Sequence, residues 1–303
     1  MKAVLVGFGN QGQKRIKYLK KKDLICLVDP FKKKIKYKSI YKVPLNIFDT
    51  AILCIPDHEK YEIIKYLAKN KKNIFVEKPL IETKTKLLEL KKIIKKNNIS
   101  YYTAYNHRFE PHIITLKRIL KEKELGKIYR VKAFYGNGTS KLVKNSIWKD
   151  RGYGVLPDLG SHLVDILFFL FSYKNYNFKI NLLNNFENKS PDFVYFSSKK
   201  SPYIDLEATF LSWKNKFYLD IYAEKGSLHL NGLCKWGPSI LEIHKRTYPS
   251  GIPKIKKKIL LMKDPTWRLE YKYFKDNLKD KINNIDNDIR ISEIMNSLYK
   301  KNA

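Results

Sequence analysis

Residues 2–12 read KAVLVGFGNQG, an apolar, β-branched run that stops at Gly7, Gly9 and Gly12 and passes into a lysine-rich helical stretch ending near Lys22. Strand, tight turn and helix in that order leave few folds open. Gly7 permits the turn, Gly9 lets the backbone come close to a pyrophosphate, and Gly12 allows the helix to pack closely on the strand. The helix start offers free N–H groups and the positive end of a dipole to phosphates. Phe8, Asn10 and Gln11 complete this loop, and the first expectation is a dinucleotide-binding segment.

Apolar runs at 24–29, 51–55, 74–76 and 100–105 alternate with helical patterns at 58–70 and 83–97, which predicts a parallel, doubly wound α/β sheet. Between Asp29 and Ala51 the chain is too short for a full helix and another strand, so that crossover is expected to be abbreviated. After a helix at 111–123 the pattern changes to alternating runs at 128–135, 193–197, 204–212, 216–223, 227–230 and 240–245, interrupted by a helix at 157–171. Period-2 alternation predicts an open, mostly antiparallel sheet, making the second domain α+β. The expected domains are 1–110 and 111–303, with helical residues 267–303 packing back on the body.

At 303 residues, 44% apolar and 14% aromatic, the chain can bury two cores. Its net charge of +32 raises the question of a polyanionic partner, yet of 61 basic residues only Arg15, Arg108, Arg118, Arg130, Arg151, Arg246, Arg268 and Arg290 are arginines. Lysines scattered among Asn, Ile and Tyr fit a compositional bias better than a specific nucleic-acid surface. Cys26, Cys54 and Cys234 are far apart and are expected to be buried free thiols, which suits a reducing cytoplasm. Residues 1–8 are too short for a signal peptide, and 166–171 too short for a membrane span.

Several polar residues stand where chemistry is possible. Asp29 ends the second strand and could accept hydrogen bonds from the ribose hydroxyls of NAD, while repelling the 2′-phosphate of NADP; Lys32, Lys33 and Lys34 offset part of that repulsion. Lys78, between Glu77 and Pro79, projects from a strand end, where such sheets bind ligands. Asp158 and His162 are four apart and share a helix face, with Leu159, Leu163, Ile166 and Leu167 packing. Gly152 and Gly154 flank Tyr153 and would let the backbone approach a ligand. No metal site is expected, because the six histidines show no HExxH spacing and there is no CxxC. His107 and His112 are expected at the surface or between domains.

Together GFGNQG, Ile55-Pro56-Asp57-His58, EKP at 77–79, YNHRFEP at 105–111, ELGKIYRV at 124–131, the stretch from Trp148 to Leu167 and EKGSL at 224–228 resemble the Gfo/Idh/MocA family of oxidoreductases over nearly the whole chain. The resemblance implies a Rossmann domain, a second domain whose open sheet forms a dimer or tetramer, and an active site in the cleft between them. Lys78, Asp158 and His162 match the family's catalytic set: His162 as general base, Asp158 orienting it, Lys78 stabilising the developing alkoxide. Glycine-loop residues 7–12, Asp29, Ile55, Pro56, His58, Glu77 and Lys78 are the implied cofactor contacts. Asn106, Arg108, Trp148, Lys149 and Tyr153 join the substrate contacts. The implied activity is hydride transfer between NAD and a sugar, cyclitol or nucleotide sugar. A glycoside-cleaving relative and a non-catalytic sugar or NAD sensor are the alternatives. Three departures stand out: the short segment 30–50, an Asn expected as the left-handed residue within 70–73, and Tyr153 in place of a glycine.

Overall fold

The continuous apolar runs lie at the centre of a five-stranded parallel sheet, buried on both faces as such runs require. In this computed structural model, which describes residues 1–146, 149–172 and 176–300, the strands are β1 Ala3–Val6, β2 Leu24–Val28, β3 Thr50–Leu53, β4 Asn73–Glu77 and β5 Tyr101–Ala104, in spatial order β2-β1-β3-β4-β5. Helices α1 Asn10–Ile16, α2 Asp57–Lys69 and α3 Lys84–Lys96 connect them. The pairings of Val6 with Val28 and with Leu53 bring Gly7, Asp29 and Ile55 to one carboxyl edge of the sheet. Ligands bind at that edge in open α/β sheets.

The abbreviated crossover is found. Segment 30–50 contains only single turns at Ile40–Lys42 and Leu45–Ile47, and the missing strand survives as one bridge between Val28 and Tyr37. Ile40, Val43 and Phe48 from this segment still fill the core. The left-handed residue after α2 is Lys71, with φ of 57°, and not an asparagine as expected. Asn70 instead spends its side chain on the last turn of the helix, donating to Tyr66 O at 2.8 Å, so the positive φ falls one residue later.

Contacts divide the chain into two units, residues 1–106 with 267–293, and 107–266 with the residues from 294 on. Helices α7 Thr266–Asp276 and α8 Ile285–Lys300 carry the late segments. Within the first unit, Tyr101 N donates to Ile282 O at 2.8 Å and Asn284 N to Tyr101 O at 3.2 Å, which covers the β5 edge.

The second unit is built on eight strands in the order β13-β12-β11-β10-β6-β9-β8-β7, antiparallel except for the parallel pair β6 and β9. These are β6 Ile128–Gly136, β7 Phe178–Asn184, β8 Phe193–Ser198, β9 Tyr203–Thr209, β10 Lys216–Ala223, β11 Gly226–Asn231, β12 Ser239–Lys245 and β13 Lys254–Leu260. Alternate residues such as Val131, Ala133, Phe196, Leu206, Phe217 and Leu219 are buried on one face. β7 and β13 were not foreseen, because they are edge strands without clean alternation; β13 reads KIKKKIL and is almost wholly exposed. A short helix α5, Ser140–Lys144, also escaped prediction. α4 Pro111–Lys121 matches its expected start.

Three expectations are corrected here. The helix expected at 157–171 is a π-helical turn, Leu156–Gly160, followed by α6 Ser161–Phe171. α6 is buried on every side over Ser161–Phe168, His162 and Asp165 included, so its polar residues do not share an open face as expected. His107 and His112 are 1% and 2% exposed, which corrects the surface alternative of their expected placement. Of the three thiols only Cys234 is fully buried, Cys26 and Cys54 being part-exposed.

Candidate functional site

Each glycine of the loop answers a different steric demand. Gly7 has φ of 87°, and a Cβ there would lie 2.3 Å from the Cys54 carbonyl oxygen; on Gly12 it would lie 2.1 Å from the oxygen of Gly7. Around Gly9 nothing stands within 4 Å of where a Cβ would be. Gly7 and Gly12 therefore fit chain to chain, while Gly9 leaves a space that a side chain would fill, as a bound pyrophosphate requires. Asp29, 6% exposed, turns its carboxylate back on the loop: Oδ2 accepts from Phe8 N at 2.7 Å, and Oδ1 from Phe31 N and Lys32 N at 2.9 and 3.1 Å. A carboxylate has about four lone-pair positions, so Asp29 organises the loop and keeps acceptor capacity. Asn10 and Gln11 open α1, Ile55 and Pro56 lead into α2, and His58 in its first turn is exposed.

At the end of β4, buried charge holds the backbone. Arg15, on α1, donates through Nε to Glu77 and pairs through Nη1 with Glu270 at 2.7 Å, between the rings of Phe75 and Trp267. Burial works against the guanidinium charge, but the two carboxylates outweigh it and hold the arginine above its ordinary value. Glu77 is thus engaged with Arg15. Lys60, 1% exposed, sends its ammonium to Glu77 O at 2.7 Å, Pro79 O at 2.6 Å and Asp57 Oδ1 at 2.6 Å. Two of its three contacts grip the carbonyls on either side of Lys78, which is itself half-buried and joined to Pro79 by a cis peptide.

In the second unit the arrangement is aromatic. His162, 5% exposed at the start of α6, stacks on His107 with centroids 4.1 Å apart and planes 21° from parallel. Tyr135 of β6 sets its ring edge against His162 at 5.8 Å. Asp158 lies in the π-helical turn just before, half-buried. Burial, then Asp158 and Asp264, push the Tyr135 hydroxyl well above its ordinary value, keeping it a neutral phenol. Lys235 donates to His107 Nε2 at 3.0 Å and to Tyr135 Oη at 3.3 Å, its ammonium 4.2 Å from the Trp236 ring.

The remaining predicted residues have different surroundings. Arg108 makes a two-pronged ion pair with Asp165, buried on α6. Tyr153 packs on Tyr299 at 3.9 Å and donates to Asn296 Oδ1 at 3.4 Å. Gly154 presses on chain rather than on ligand space, since a Cβ would meet Pro191 O at 2.0 Å, whereas around Gly152 there is open space. Asn106 is buried, Lys149 is exposed, and Trp148 lies outside the described residues. Among the described residues no group of three or more His, Cys, Asp or Glu could hold a metal ion, and no helix is long and apolar enough to cross a membrane. Sequence reasoning missed Arg15, Lys60, Tyr135, Asp165 and Lys235. The signal for Arg15 and Lys60 was a base embedded on a helix's packing side; for Lys235 there was none.

Two family models match in series: the oxidoreductase family with an NAD-binding Rossmann fold over residues 1–105, and the GFO/IDH/MocA C-terminal domain over 113–229. The chain belongs to the Gfo/Idh/MocA family. Among curated relatives, glucose-6-phosphate 3-dehydrogenase of Bacillus subtilis is 23% identical over 176 residues, 56% of this chain and 48% of that protein. Inositol 2-dehydrogenase of Rhizobium meliloti is 22% identical over 122 residues, 40% of this chain and 36% of that one. The matched regions span less than half the length of these curated relatives. Levoglucosan dehydrogenase in complex with NADH shares the fold, with a TM-score of 0.81 at 15% identity over 98% of this chain and 95% of the other. The first domain of this Gfo/Idh/MocA protein is therefore an NAD-binding Rossmann domain, and the doubly wound sheet with a mostly antiparallel partner is the family architecture.

Proposed function

We propose that this Gfo/Idh/MocA protein is an NAD-dependent dehydrogenase or reductase acting on a CH–OH group of a sugar, cyclitol or nucleotide sugar. The observation that carries the reading is His162: an almost fully buried imidazole set against two aromatic rings, one helical turn after the half-buried Asp158. A base held in one orientation by packing suits proton transfer at a defined atom. Bound NAD supplies the hydride acceptor. His162 takes the hydroxyl proton, Asp158 orients it, and Lys78, aimed by the Lys60 grip on its flanking carbonyls, stabilises negative charge on the substrate oxygen. The open space at Gly9 would receive the pyrophosphate, with Asp29 offering its remaining acceptor capacity to the ribose. The carboxylate at that position supports NAD over NADP. Exposed Tyr203 and Tyr222 on the open sheet face, with Phe134 stacked on Tyr218 at 5.3 Å, support a homo-oligomer formed there.

The test is absorbance at 340 nm with NAD against a panel of cyclitols, free sugars, sugar phosphates and UDP-sugars, with His162→Ala in parallel. Reduction of NAD that falls by at least about 100-fold in the variant is expected for loss of a general base. Undiminished turnover in His162→Ala would remove this histidine from the mechanism. Cofactor that co-purifies and cycles without net reduction would move the protein to the glycoside-cleaving class.

A further inference from the structure

We infer that Lys235 is a positioning residue for His162, acting through the charge state and tautomer of His107. This rests on the role proposed for His162. An ammonium has three donors and no acceptor, so the 3.0 Å contact from Lys235 Nζ requires His107 Nε2 to be an unprotonated acceptor. His107 is then neutral, with its proton on Nδ1. Nothing in the motif pattern points to Lys235, which comes from the turn Cys234–Trp236, 128 residues away in sequence.

The fixed tautomer matters because of what His107 faces. Its ring lies flat against His162. When His162 takes a proton it becomes a cation, and a neutral aromatic face supports a cation where a second imidazolium would oppose it. Other charged or titratable groups around the pair are Asp158 in the preceding turn, the Tyr135 hydroxyl on β6 with Asp264 near it, and the Arg108–Asp165 pair. The contact from Lys235 is the one that reaches His107 Nε2 directly, at 3.0 Å. Tyr135, which also accepts from Lys235 and sets its ring against both histidines, holds the ammonium in register.

The experiment is long-range ¹H–¹⁵N correlation of the full chain labelled at histidine nitrogens, near pH 7.5, on wild type, Lys235→Met and Lys235→Arg, with kcat and KM measured on each. Wild type should show His107 with a protonated Nδ1 and a bare Nε2. In Lys235→Met the two nitrogens should average towards a tautomer mixture, and kcat should fall about tenfold with KM within about twofold. Lys235→Arg should restore both. A wild-type His107 carrying its proton on Nε2 overturns the inference, even if the Met variant does not fold. An unchanged His107 spectrum in a folded Lys235→Met does so as well. A tautomer shift with unchanged kcat overturns the positioning role while leaving the tautomer assignment standing. Failure of the proposed function shows separately, as full turnover in His162→Ala.

Discussion

The two units hold their candidate residues by different physics. In the first, backbone is gripped by buried charge: Arg15 between Glu77 and Glu270, Lys60 on the carbonyls flanking Lys78, and Asp29 on the amides of the glycine loop. In the second, rings hold rings, with His162 against His107 and Tyr135 and the Lys235 ammonium at the rim. Charge fixes positions tightly but is costly to leave half-made. Stacked rings hold one another through packing, with no buried charge left uncompensated when one is lost.

That contrast can be broken at its strongest point. Arg15→Met should leave Glu77 and Glu270 facing each other without a cation in the core, and destabilise the protein by about 3–5 kcal/mol in denaturant unfolding. Restoration by Glu77→Gln with Glu270→Gln in the same chain would confirm that uncompensated charge is the cause. An effect under about 1 kcal/mol would mean the network is held by the Phe75 and Trp267 rings instead.

A smaller change sharpens the comparison. Lys60→Met removes the donors to two buried carbonyls and should cost about 2 kcal/mol. Turnover should drop further than NADH affinity, because the grip flanks Lys78 and not the glycine loop. Equal losses in both would show that Lys60 supports the whole sheet edge.

The smallest effect lies among the buried imidazoles. His112, whose Nδ1 lies 3.0 Å from Ser239 Oγ, is held below its ordinary pKa by burial and then by Lys258. The unfolded chain therefore takes up this proton first. Its contribution to stability is complete above the unfolded value of about 6.5 and is lost as pH falls through that value towards the depressed one. Unfolding measured from pH 7.5 to 5 should show a shallower decline in His112→Gln than in wild type. An identical slope would assign the decline to other groups.

What was legible in the sequence followed the same divide. A glycine's steric demand and a strand's apolar run are local properties, so Gly7, Gly12 and the succession of the first sheet's strands along the chain could be read directly. Segment 30–50 was correctly expected to be short, since no arrangement of so few residues makes a helix and a strand. The aromatic assembly could not be read: residues 107, 135, 162 and 235 come from four elements and meet only when the eight-stranded sheet and its helices pack. The surface alternative for His107 failed for that reason, since a histidine beside charged neighbours looks solvated until the fold buries it. Lys71 was missed because the asparagine before it had a competing use for its side chain.

One edge of that larger sheet has a practical consequence for handling the protein. β13 pairs with β12 on one side and exposes Lys254, Lys256, Lys257 and Lys258 along its length. Two copies approaching along this open ladder would bring these ammonium groups together, which discourages strand addition between molecules. The guard is electrostatic and works over a screening distance of about 10 Å at 0.1 M salt, shrinking to about 3 Å at 1 M. Concentrated preparations should accordingly be kept at low ionic strength, where the lysines of this strand act as a colloidal stabiliser.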